Sequence, residues 1–61
     1  MVNLTAKELT LLSETLGTEQ LLVKRFQNAA SSCCDPQMKQ QFEQTAQRHQ
    51  QHFNTLQSYL R

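Results

Sequence analysis

The chain has no tryptophan, one glycine and one proline in 61 residues. So little turn-forming material excludes barrels and sandwiches, whose many chain reversals call for Gly, Pro, Asn and Asp at special backbone angles. Charge of one sign is lacking too: six Lys and Arg oppose five Asp and Glu, a formal net charge of +1. Without a basic cluster there is no electrostatic footprint for nucleic acid and no polybasic segment for an anionic membrane, so neither partner is expected. Apolar runs stop at a few residues, as in Leu21-Leu22-Val23, far below the ~20 residues of a membrane span. The first residues lack a basic segment followed by an apolar core, so no signal peptide is expected. The two cysteines, Cys33 and Cys34, are neighbours that could bridge each other only in a strained ring. That excludes an intrachain disulfide framework and makes the reducing cytoplasm the expected compartment. They read as small residues closing a helix end, with an intermolecular disulfide or soft-metal ligation as the alternative.

What is present is helical periodicity. Thr5-Ala6-Lys7-Glu8 matches a capping box, in which a threonine oxygen and a glutamate each satisfy a free backbone N–H at a helix start. From there Leu9, Leu12, Leu16, Val23, Phe26, Ala30 and Cys33 recur at steps of three and four, with a gap at position 19 that Glu19 fills. Gly17 costs about 1 kcal/mol inside a helix, yet the stripe stays in phase across it, so one continuous helix is expected over about 5–32. Asp35-Pro36 is a cap followed by proline at the first helical position, which places a turn at 33–35. The second helix, about 36–60, carries Met38, Phe42, Thr45, His49, His52, Leu56 and Tyr59 on the same rhythm, flanked by Ala46, Phe53 and Leu60. Eight glutamines between Gln37 and Gln57 fall mostly on its other face and read as solvated surface.

Two helices joined by so short a turn must run antiparallel, giving one all-α hairpin domain over 1–61. A chain this short buries only about 60% of its unfolded surface. Each helix covers only part of its partner's stripe, so two hairpins are expected to pair as a homodimeric four-helix bundle.

The same stripes contain the residues that could carry chemistry. At about 100° per residue, Glu19 lies within roughly 20° of Leu12 and Phe26. His49 lies within roughly 20° of Phe42 and Leu56, with His52 about 60° away, so both histidines are expected to face inward. Glu43, about 120° from His49, points to solvent and is not expected to be a ligand. Counted from the turn at 1.5 Å per residue, Glu19, His49 and His52 lie about 21, 20 and 24 Å along the hairpin, at one level. A carboxylate and two imidazoles at one level of a bundle make a candidate site for zinc, iron or copper, all compatible with nitrogen-rich ligation. The structural alternative is a hydrogen-bonded Glu–His cluster that fixes helix register without a metal. A phosphotransfer histidine is disfavoured, because it would need to be exposed and His49 is placed on the seam.

The chain resembles the small spore coat F-like proteins of the ferritin-like superfamily. The segments that carry the likeness are Leu4-Thr5-Ala6-Lys7-Glu8-Leu9, Leu16-Gly17-Thr18-Glu19-Gln20-Leu21-Leu22, Cys34-Asp35-Pro36-Gln37 and Arg48-His49-Gln50-Gln51-His52-Phe53. The resemblance implies hairpin units in a four-helix bundle and a structural, non-enzymatic role in the spore coat or the mother-cell cytoplasm, beside other coat proteins. It also frames an alternative, a metal-binding or metal-dependent oxidase-type protein. The ferritin-like di-iron pattern pairs a glutamate on one helix with Glu-x-x-His on the next. Glu19 and His52 match the first and last of these, but His49 stands where the bridging carboxylate belongs, so di-iron oxygen chemistry is not expected.

Overall fold

The computed structural model describes residues 3–60; positions 1, 2 and 61, the ends of the expected domain, lie outside the described residues. Helix α1 spans Ala6–Ser32 and helix α2 spans Pro36–Gln57, packed against each other as a hairpin, with a short 3-10 turn over Ser58–Leu60. No strand occurs among the described residues. None of the helices is long and apolar enough to cross a membrane.

Local chemistry sets both helix starts. The Thr5 backbone N–H donates to Glu8 Oε1 at 3.0 Å, and the Glu8 N–H donates to Thr5 Oγ1 at 3.1 Å, closing the expected capping box. Those hydrogen bonds, the backbone one first, hold the Glu8 carboxyl below its usual value of 4.5. At α2, Asp35 Oδ1 accepts from the N–H groups of Gln37 and Met38 at 2.9 and 3.4 Å, and Pro36 opens the helix where no donor is needed. α1 runs unbroken through Gly17 and ends at Cys33, whose N–H bonds the Ala30 carbonyl at 3.3 Å. Cys33 and Cys34 are free thiols, and the Cys33 Sγ lies 3.5 Å from the Asp35 carbonyl oxygen, so the first of them helps close the turn.

The seam follows the expected stripes at its centre and departs from them at the ends. Val23, Ala30 and Ala46 are the buried hydrophobic residues, bordered by half-buried Leu12, Leu16, Leu22, Phe26, Phe42, Phe53 and Leu56. Leu9, Met38, Tyr59 and Leu60, expected on the apolar face, are exposed. Counted from the turn, Leu9 lies about 36 Å out whereas the last residue of α2 lies about 32 Å out, so α1 overhangs its partner there. The α-helix also stops at Gln57 rather than near position 60, where the Ser58 hydroxyl donates to the Thr55 carbonyl and the chain tightens into the 3-10 turn. All eight glutamines of α2 are exposed.

The result is a plank of 45 × 16 × 11 Å with a radius of gyration of 14.3 Å. A compact chain of this length would have a radius of about 10.5 Å. Two helices in contact have one shared seam and two open faces, and that geometry accounts for the difference.

Candidate metal centre

Glu19 is the midpoint of α1, with thirteen residues of the helix on either side. It is therefore held rigidly at mid-length, opposite the third quarter of α2, where His49 and His52 project one turn apart. With its hydrogen on Nδ1, His49 donates to both carboxylate oxygens, at 3.3 Å to Oε1 and 3.1 Å to Oε2. His52 places its own Nδ1 3.5 Å from Oε2. One carboxylate thus grips two imidazoles across the seam.

Burial grades across the three. The Glu19 side chain is 13% exposed, that of His49 21% and that of His52 56%. The expectation that both histidines face inward is therefore corrected for His52, which reaches the cluster from the margin of the seam. The cause is rotational: His52 and the buried Ala46 lie six residues apart, about 120° around α2, so packing against α1 on the Ala46 side swings His52 outward.

Aromatic neighbours fix the imidazoles. Phe26 stacks on the His49 ring at 5.8 Å between centroids and 9° between planes, and itself meets Phe42 at 6.0 Å. The His52 ring stands edge-on to His49 at 5.7 Å and 87°. Phe26 was legible as an apolar position about two helical turns from Glu19, but its role as a platform for His49 was not. The stacking depends on the ring reaching back along α1, which stripe positions do not encode.

Donor atoms of Glu19, His49 and His52 all lie within 4.8 Å of one another, and these residues form a group able to hold a metal ion. In a tetrahedral zinc site with bonds near 2.05 Å, neighbouring donors stand about 3.3 Å apart. The two carboxylate–imidazole separations, 3.1 and 3.5 Å, bracket that value. The remaining separation, between the two imidazole donors, lies within 4.8 Å, so an ion would take the place of the His49–Glu19 hydrogen and draw the rings together. Glu43 is exposed, as expected from its angle, and lines a separate hollow of about 480 Å³ toward the turn with Lys39, Gln47 and Gln50 over Ala30 and Ala46. Beside the cluster itself a groove of about 240 Å³ opens, walled by Glu19, His52, Thr55 and Leu56. Thr55 was not among the residues singled out by periodicity, because it stands on the far side of His52 from the stripe.

No protein-family model, no curated protein and no solved structure matches this chain. The fold and the site therefore stand on their own geometry.

Proposed function

We propose that this chain is a non-enzymatic assembly protein, a hairpin that pairs with a second copy into a four-helix bundle and carries a transition-metal centre at Glu19, His49 and His52. The observation that carries the reading is surface area. A folded monomer of this mass is expected to expose about 4,100 Å², whereas the hairpin exposes 4993 Å². The excess of about 900 Å² is close to the ~800 Å² that one partner buries in a standard interface. Exposed Leu9, Leu21 and Leu60 contribute to that excess.

Within the bundle the cluster has two compatible roles. Through the His49–Glu19 hydrogen bonds, with His52 close to the same carboxylate, it fixes the register of α1 against α2, because any slip separates the carboxylate from the imidazoles. With zinc, iron or copper bound it becomes a cross-link between the helices. The ferritin-like oxidase alternative is less well supported, since His49 occupies the place of a bridging carboxylate and leaves the centre suited to holding an ion rather than cycling it. The reading of a place in the spore coat beside other coat proteins rests on the resemblance of its segments to spore coat F-like proteins.

Sedimentation of the untagged protein tests assembly: a dimer at micromolar concentration is expected, and a monomer that unfolds cooperatively at that concentration refutes it. Elemental analysis of the same sample tests the centre. At least one zinc, iron or copper ion per two chains is expected, and metal well below that ratio with stability unchanged in chelator removes the metal from the proposal.

A further inference from the structure

Glu19, His49 and His52 supply three donors, and among the described residues no further carboxylate, imidazole or thiol joins their group. The sequence contains two histidines, and both are already in the cluster. Glu8 is engaged in the cap of α1 and Asp35 in the cap of α2. Glu43 faces the other hollow. Glu14 is exposed and lies about 140° around α1 from Glu19. Three donors with a vacant fourth corner leave only solvent or another molecule to fill it.

We propose that a second copy of the chain closes this corner, so that metal binding and dimerisation are one coupled equilibrium. The inference rests on the dimeric metal-centre reading above and adds to it that the site is incomplete in a single hairpin. Three observations converge on a second copy. The surplus surface matches one side of a standard interface. The cluster lies at the midpoint of α1, so a two-fold axis through the middle of the bundle brings the second copy's cluster to the same level. Finally, the opening beside the cluster is walled in part by Leu56, and His52 stands at its rim with its side chain 56% exposed, placed to meet whatever covers the face.

The thermodynamic consequence is reciprocal. If the ion contacts both copies, the factor by which it tightens the dimer must equal the factor by which dimerisation tightens the ion. Two clusters at one level would offer four imidazoles and two carboxylates, enough to saturate the ion without solvent.

The test is zinc titration of the metal-free chain by calorimetry at several protein concentrations, beside sedimentation with and without zinc. The expected result is a dimer constant tightened about tenfold or more by zinc, within the usual span of coupling factors, and a zinc affinity that rises with protein concentration. His52→Gln, at the most exposed of the three positions, should fold and lose this zinc dependence; retention of the full effect in that variant overturns the proposal. Zinc bound with one affinity at every concentration, or a dimer indifferent to zinc, also overturns it while leaving the metal centre or the bundle of the preceding reading in place. Failure to bind zinc at all, with iron and copper likewise unbound, overturns both.

Discussion

Replacing Glu19 with glutamine keeps the length and shape of the side chain while removing its charge and turning one acceptor oxygen into an N–H donor. The amide oxygen can still accept one hydrogen bond from His49, so the loss is the difference between a charge-assisted, two-oxygen contact and a neutral one. Hydrogen bonds to charged groups contribute about 1.5–3 kcal/mol and neutral ones about 0.5–1.5, which puts the His49 part near 1–1.5 kcal/mol. The His52 part is smaller, because at 3.5 Å and with its side chain 56% exposed the contact is screened by solvent. A total of about 1.5 kcal/mol corresponds to a fall in Tm of about 6–12 °C for a domain of this size. Thermal unfolding by circular dichroism in chelator, at one fixed protein concentration, measures it; concentration must be held because a dimer's midpoint depends on it. Zinc should then raise the midpoint of the parent and leave the variant nearly unmoved. A variant midpoint within about 2 °C of the parent in both conditions, well below the shift expected for 1 kcal/mol, would refute the assignment of Glu19 as the group that joins the helices.

Four other outcomes follow from the fold. Gly17→Ala should stabilise by about 1 kcal/mol, since the glycine lies inside α1 without a positive φ and an added Cβ meets nothing within 4 Å; a lowered urea midpoint would contradict it. Val23→Ala removes two buried methyl groups from the largest of the buried side chains and should cost about 2 kcal/mol in urea unfolding, so a change under about 0.5 kcal/mol, the size expected of a surface substitution, would show that the seam repacks. Thr5→Ala should cost about 1 kcal/mol through the lost cap. The Glu8 carboxyl is held below its ordinary value when folded, so its contribution is present above pH 4.5 and fades as pH falls through the lowered value; Glu8→Gln should flatten that part of the acid unfolding curve, and an identical curve would count against it.

Much of the fold was legible because its determinants are local. The capping box and Asp35-Pro36 specify helix starts through bonds between residues two or three apart, and such bonds do not depend on what the rest of the chain does. Glu19, His49 and His52 were legible as a cluster because helix rise and rotation alone carry them to one level. The departures arise where a partner helix decides. Leu9 fits the stripe but has no helix opposite it, and His52 was assigned inward because angles measured around α2 do not reveal which side of His49 the seam favours. Small Ala30 and Ala46 set that side by allowing close approach, a packing choice that a hydrophobicity pattern does not weight. The proposed homodimer rests on leftover surface and the proposed coat role on resemblance alone, and neither is part of a single hairpin's geometry.

The short connection between the helices has a consequence for folding order. Phe26 and Phe42, sixteen residues apart in sequence, meet near the turn, whereas Glu19 and His49, thirty apart, meet one level further out. Closing the longer loop from an open chain costs only about 0.6 kcal/mol more than closing the shorter one, yet once the aromatic pair has formed, the remaining segments are already aligned. Closure outward from residues 33–35 is therefore the favoured order, by a small margin, and the carboxylate–imidazole contact acts as a halfway latch between the inner half and the outer half, where α1 overhangs.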